Sequence, residues 1–177
     1  MAKNKGKIFE DSFKASIPSH CVVHRLKDSA QAYNNSGVTQ FTWQNPCDFF
    51  IFDSIARTFF AIECKSTKQT SMTVEIEEKD KNSGKMIKLH QIKALTKMSK
   101  YDYVVAGLLM NFRDEFKSEE RTYFMRISDF NKMMLEINKK SCNEKDILDY
   151  NGIVIDGVKK RVNYRWDIDG FLKFMNN

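Results

Sequence analysis

The sequence predicts an α/β fold in which a central mixed β-sheet is flanked by helices. Three observations predict it. Residues 47–52 and 58–64 are dense in aromatic and branched side chains, and 101–110 (YDYVVAGLLM) is apolar almost throughout. Strands that read as continuous apolar runs are buried on both faces, which requires helices on either side of the sheet. Apolar residues at helical spacing recur before, between and after these runs, giving the order α-β-β-β-α-β-β-α-β-α.

Each element has its own signal. Ile8, Phe9, Phe13 and Ile17 fall on a three-to-four residue spacing, and Pro18 ends that helix. Residues 21–26 form a short β-rich run. Residues 28–45 are polar and turn-rich, long enough for a functional loop. Asp53-Ser54-Ile55-Ala56-Arg57 joins the two aromatic runs as a hairpin. Residues 72–76 read as a short edge strand and 77–85 as a charged, exposed turn. A helix over 89–100 places Leu89, Ile92, Leu95, Thr96 and Ser99 on one side. A strand over 121–127 precedes a helix that starts at Ser128-Asp129 and carries Phe130, Met133, Met134 and Ile137. A strand over 161–166 leads into a last helix through Phe171, Leu172 and Phe174.

Composition narrows the class. With 42% apolar residues and 14 Phe in 177 residues, the chain can build a core and is not a disordered polymer. Its net charge of +6 suits a phosphate-rich partner without demanding one. No apolar run is long enough for a membrane span, and no apolar segment follows the basic N-terminus, which argues against a secretory signal. The four Cys form no C-x-x-C pair and are read as free thiols in a reducing, cytoplasmic setting.

Most acidic residues lie in polar segments, where solvation accounts for them; Asp48 and Glu63 do not. Asp48 opens an aromatic strand, and Glu63 and Lys65 end the next. Residues two apart on a strand share a face. If the two strands pair as a hairpin, Asp48 stands beside Glu63 with Lys65 on the same side. Two close carboxylates repel, and a hard divalent cation such as Mg²⁺ relieves the repulsion. An ammonium beside a metal-activated water is equipment for hydrolysing a phosphodiester.

Asn45-Pro46-Cys47-Asp48 and Glu63-Cys64-Lys65-Ser66 resemble the core motif of the PD-(D/E)xK nuclease superfamily. Gly6-Lys7-x-Phe9-Glu10-x-x-Phe13 resembles the first-helix motif of its Holliday junction resolvases. Leu89-His90-Gln91-Ile92 and the closing run from Tyr164 to Asp169 are similar to the RecU family of low-GC Gram-positive bacteria and their phages. Three features depart from the pattern. Cys47 stands between Pro46 and Asp48. The second motif reads Ala61-Ile62-Glu63-Cys64-Lys65-Ser66-Thr67 rather than Asp-Phe-x-Ala-Lys-x-Thr. The segment equivalent to the family's stalk is short.

The resemblance implies one restriction-endonuclease-like nuclease domain over 1–177, with a basic flexible N-terminus at 1–5 and a protruding loop or short stalk at 27–46. It implies Mg²⁺, with Mn²⁺ able to substitute, held by Asp48, Glu63, the Cys64 backbone carbonyl and Glu10. Lys65 and Gln91 complete the catalytic set with Asp48, Glu63 and Glu10. Asp28 is either a further acidic ligand or a loop cap, and His90 is read as structural. The implied partners are branched DNA, four-way junctions above all, and a second copy in a homodimer, with no membrane. Arg25, Lys27, Lys68, Lys93 and Lys97 are candidate phosphate contacts, and Tyr33, Phe41 and Trp43 are candidates to stack on unpaired bases. Two alternatives stand beside this reading: a restriction-like or repair endonuclease on duplex or flapped DNA, and a non-catalytic DNA-binding protein on a nuclease scaffold.

The aromatic loop generates a prediction. Replacing Phe41 and Trp43 together by Ala weakens binding to a four-way junction more than to a duplex, by about 1–3 kcal/mol per lost stacked base. Titrations of both substrates in Ca²⁺ measure it, and equal losses on the two would exclude a stacking role.

Overall fold

The pairing of the two aromatic runs sets the architecture. In the computed structural model, which describes residues 4–26, 45–80 and 84–175, β2 (Phe49–Asp53) and β3 (Thr58–Thr67) form an antiparallel hairpin with Phe49 opposite Ile62. β1 (Cys21–Arg25) pairs antiparallel on the outer side of β2. On its other side β3 pairs in parallel with β5 (Val104–Asp114). A parallel neighbour needs a crossover, and α2 (Leu89–Met98) supplies it after the short β4 (Ser71–Thr73). β6 (Glu119–Arg126) returns antiparallel to β5, and β8 (Ile153–Ile155) closes a six-stranded mixed sheet in the order β1-β2-β3-β5-β6-β8.

The sheet carries a core on each face. Alternation along β5 sends Ala106, Leu108, Met110 and Phe112 to one side, where Leu95 of α2 and Phe130 and Met133 of α3 (Ile127–Glu136) meet them. Leu109 and the β3 residues Phe60, Ile62 and Cys64 face the other side. There α1 (Lys5–Ser16) and α5 (Ile168–Met175) pack. Asn4 begins α1 by accepting a hydrogen bond from the Gly6 N–H, as an N-cap asparagine does. Phe9 stands edge-on to Trp166 and Phe13 edge-on to Phe49, at centroid distances of 5.9 and 5.4 Å. Each such buried ring contributes about 1.5–3 kcal/mol through apolar area removed from water. Among the described residues no helix is long and apolar enough to cross a membrane, and the four cysteines are free thiols.

Several elements differ from the sequence expectation. Tyr101 and Tyr103 are exposed and belong to the turn before β5; Tyr103 adopts a positive φ, so the strand begins at Val104. The third helix begins at Ile127 rather than Ser128. The expected strand over 161–166 is only β10 (Tyr164–Trp166). It leaves the main sheet and pairs with β9 (Gly157–Lys159), because Trp166 is drawn into the core beneath α1. The region 139–160, to which the sequence reading assigns no element, holds β7 (Ser141–Asn143), which pairs with β4, then α4 (Glu144–Asp149), β8 and β9. Elements of three to six residues are too short to show a period. The segment expected as an exposed charged turn contains a 3₁₀ turn over Glu78–Asp80. Asp80 is buried there because Lys140 and Lys85 reach it at 2.9 and 3.1 Å. Its carboxyl is held well below the ordinary range, first by the Lys140 hydrogen bond.

Gly107 on β5 allows the sheet to close against β6. A Cβ there would lie 2.4 Å from the Met125 carbonyl and 2.6 Å from the Phe124 ring. Gly107→Ala is expected to cost about 1–3 kcal/mol through overpacking. Urea unfolding measures it, and a change below about 0.5 kcal/mol, the range of ordinary surface substitutions, would show that β6 yields freely.

Candidate active site

The β2–β3 register brings the first two candidate residues together. Asp48 lies one residue before β2, and its backbone is held from both sides. Its N–H donates to the Ile62 carbonyl at 3.1 Å, and its carbonyl accepts from the Leu26 N–H at 2.8 Å. Continuing the pairing of Phe49 with Ile62 places Asp48 opposite Glu63. One Asp48 oxygen, Oδ2, accepts from the Cys64 N–H at 2.7 Å. That bond fixes the carboxylate against the residue whose carbonyl is the expected third oxygen ligand.

Glu63 is 2% exposed, on the sheet face that α2 covers. Lys65 follows on the same face and donates Nζ to Glu63 Oε1 at 2.6 Å. Gln91, in the first turn of α2, donates Nε2 to the same oxygen at 2.5 Å. The α2 N-terminus is itself anchored. Glu75, which is buried, accepts from Lys88 Nζ at 2.9 Å and from the Leu89 N–H at 3.1 Å, while the Lys88 N–H donates to Gln91 Oε1. Desolvation opposes the charge on Glu75, but these bonds and the Lys88 charge outweigh it and hold its carboxyl below the usual value. A carboxylate at this helix N-terminus also complements the helix dipole.

Burial pushes Glu63 up to about 7; Lys65 opposes the shift, and the charges of Asp48 and then Glu10 add to it. Glu10 comes from α1, which packs on the opposite face of the sheet from Glu63, and its charge is the last and smallest of these influences. Glu10 is paired with Arg25, whose Nε lies 2.8 Å from Oε2. The paired strands thus bring two carboxylates, Asp48 and Glu63, opposite each other, and oxygen ligands of this kind suit a hard cation.

The remaining candidates are dispersed. Arg25 is engaged by Glu10, so its charge is already balanced within the chain. Lys68 is exposed just beyond β3, where it lines a groove with Arg113 and Arg121. Lys93 is exposed on α2 and paired with Glu78, and Lys97 is exposed further along the helix. His90 is exposed at the start of α2, and its charge acts on Glu75. Lys27, Asp28, Tyr33, Phe41 and Trp43 lie outside the described residues. A surface cavity of about 690 Å³ between α3 and α5 is lined by Arg126, Asp129, Asp156, Asp167 and Phe171, and none of the candidates lines it.

Two groups of neighbouring residues escaped the sequence reading. Glu75 falls in the expected edge strand over 72–76, where nothing in the local pattern marks it as buried. Asn111, fully buried on β5, accepts from Ser66 Oγ at 2.7 Å and donates to Thr122 at 3.1 Å and Glu120 at 3.2 Å, while Arg113 Nε donates to Ser66 Oγ at 3.0 Å. This network braces the residue next to Lys65. Its signal was available: an amide directly between the apolar Met110 and Phe112 has to find partners when buried.

No family model matches the chain. The SPbeta prophage-derived uncharacterized protein YotM of Bacillus subtilis (strain 168) is 29% identical to it, over 93% of this chain and 83% of that protein. The sequence likeness is to a prophage protein. Among solved structures, Hjc, a Holliday junction resolvase from Archaeoglobus fulgidus, aligns with a TM-score of 0.45 at 16% identity, over 85% of this chain and 92% of the other.

The Glu63 environment sets a pH dependence of stability. The unfolded carboxyl ionises near its ordinary value of 4.5 and the folded one at about 7. Between these values the folded state holds the extra proton, so stability falls as pH rises across the window and levels off above it. The loss is on the order of 3 kcal/mol. Urea unfolding in EDTA from about pH 5 to about pH 8 should show this decline in the wild type and not in Glu63→Gln. Parallel curves for the two proteins would contradict the buried, proton-holding carboxyl.

Proposed function

We propose that the chain is a divalent-metal-dependent endonuclease that resolves four-way DNA junctions and related branched DNA by paired symmetric nicks. It works as a homodimer in the cytoplasm of a bacterium or a phage-infected cell. The observation that carries the reading is the placement of Asp48 opposite Glu63 across β2–β3, with Lys65 bonded to Glu63 on the same face and Gln91 reaching it from α2. The motif resemblance of residues 6–175 to RecU-like resolvases supports the choice of substrate, and the prophage relative agrees with a phage setting.

Asp48, Glu63 and the Cys64 carbonyl would hold Mg²⁺ or Mn²⁺, with Glu10 joining them when it releases Arg25. When bound, the ion supplies Lewis-acid polarisation of the phosphate and lowers the pKa of a water. The chain's own groups do the rest. Lys65 lies at the rim of the buried carboxylate and offers its ammonium to the negative charge that grows as water attacks phosphorus. Hydrolysis adds water across one P–O bond, so the entering oxygen loses a proton and the leaving oxygen gains one. Gln91 keeps Glu63 oriented, and Asp48 keeps its place through the Cys64 N–H. The pair of identical sites needed for symmetric nicks follows from a C2 dimer on a two-fold symmetric junction.

Incubating labelled four-way junction, linear duplex and flap with and without Mg²⁺ tests the reading. Symmetric nicks in the junction are expected. Cleavage of duplex or flap instead would establish the repair-type alternative, and binding without cleavage the non-catalytic one. Asp48→Asn, Glu63→Gln and Lys65→Ala should each lower the rate by several powers of ten, about 1.4 kcal/mol of transition-state stabilisation per factor of ten. Junction affinity should largely remain, because phosphate contacts supply most of it. A folded Asp48→Asn protein that cuts at the wild-type rate would remove Asp48 from the site.

A further inference from the structure

A second cluster of ligand-bearing side chains sits at the other end of the β1–β2 pair. Asp53, the last residue of β2, lies five residues beyond Asp48, which is about 16 Å at about 3.3 Å per residue. Its Cα partner across the sheet is Cys21, and His20 immediately precedes that strand. The ligand atoms of His20, Cys21 and Asp53 all lie within 4.8 Å of one another, and His20 Nε2 is 3.7 Å from Asp53 Oδ1. Ligand atoms around one tetrahedral zinc stand about 3.3–3.8 Å apart, given bond lengths of about 2.0–2.3 Å. Shifts of about 1 Å, within the reach of side-chain rotation, therefore close the set around an ion.

The cluster is held in place. Asp53 is only 3% exposed, and its Oδ1 accepts from the Ile55 and Ala56 N–H groups at 2.9 and 3.2 Å. The His20 backbone carbonyl accepts from Ser54 Oγ at 2.6 Å, tying the two turns together. Beside them opens a cavity of about 370 Å³ bordered by Asp169, Leu172 and Lys173 of α5, with room for a fourth ligand. Asp169 is bonded to Lys173 at 2.6 Å. Burial first, then the charges of Asp53 and Asp169, push the Cys21 thiol up to about 11.

We propose that His20 Nε2, Cys21 Sγ and the Asp53 carboxylate form a binding site for a borderline-soft divalent ion of the zinc class, with the fourth position facing the cavity beside Asp169. The donors set the class: imidazole and thiolate favour Zn²⁺ and Co²⁺, whereas Mg²⁺ takes oxygen. The Cys21 thiol releases its proton to solvent as the Zn–S bond forms, without redox change. The ion would clamp the α1–β1 turn to the end of β2. The site is independent of the nuclease reading.

The test is titration of the full chain, stripped with EDTA and exchanged into metal-free buffer, with Co²⁺ followed by absorption. One equivalent should give a near-ultraviolet thiolate-to-cobalt band with the intense visible bands of four-coordination. Zn²⁺ should displace it stoichiometrically, and a large excess of Mg²⁺ should not. Cys21→Ser should lose the thiolate band. His20→Gln should bind at least tenfold more weakly, and Cys142→Ser and Asp48→Asn should bind as the wild type does. Zn²⁺ should raise the Tm of the wild type clearly more than that of His20→Gln at the same Zn²⁺ concentration, which keeps the test decisive if Cys21→Ser fails to fold. Absence of the thiolate band, its persistence in folded Cys21→Ser, or its loss in Asp48→Asn would each overturn the site.

Discussion

Glu63 is a carboxylate placed in the middle of an apolar sheet, and much of the surrounding structure is arranged to tolerate it. An ionised group out of water is costly unless it is paired and hydrogen-bonded. Here Lys65 supplies the charge and Gln91 the second donor, both on the same oxygen. Gln91 can do so because α2 starts at the right place. Glu75 and Lys88 determine that start from the segment that follows β4. Even with these partners, burial raises the carboxyl to about 7. A scaffold built for stability alone would put an apolar residue at this position. Under the proposed function, a cation would complete the site.

The second constraint is the pairing of β2 with β3. It carries Asp48 to Glu63 at one end and leaves Asp53 facing Cys21 at the other. The same two strands therefore position two chemically different groups of donors. One end offers carboxylate oxygens and an ammonium; the other offers imidazole, thiol and a single buried carboxylate. Distance along the strand keeps them apart, so a change at one end can be made without disturbing the other.

The helices play unequal parts around this hairpin. α2 reaches the candidate site directly through Gln91. α1 contributes Glu10 from the far face, and its position rests on Phe9 against Trp166 and Phe13 against Phe49. Trp166 thus seats α1, the helix that carries Glu10. The Ser66–Asn111–Thr122 network does the same for the end of β3, joining it to β5 and β6 through buried hydrogen bonds rather than through apolar packing alone.

The sequence by itself determined the α/β class, the aromatic hairpin, the crossover helix and the juxtaposition of Asp48, Glu63 and Lys65. These depend on local signals: dense apolar runs, period-two alternation along a strand and a short hairpin connection. It could not show β7, α4, β8 and β9, whose few residues carry no period, nor the departure of β10 from the main sheet. Tertiary structure alone decided that Arg25 is taken by Glu10, that Asp80 is buried by Lys140 and Lys85, and that Glu75 anchors α2. It also decided that His20, Cys21 and Asp53 meet. The physical reason is common to all of these. Charge pairs and ligand clusters form between residues distant in sequence, and their energies depend on burial and on distances of a few ångströms, which no spacing along a single chain encodes.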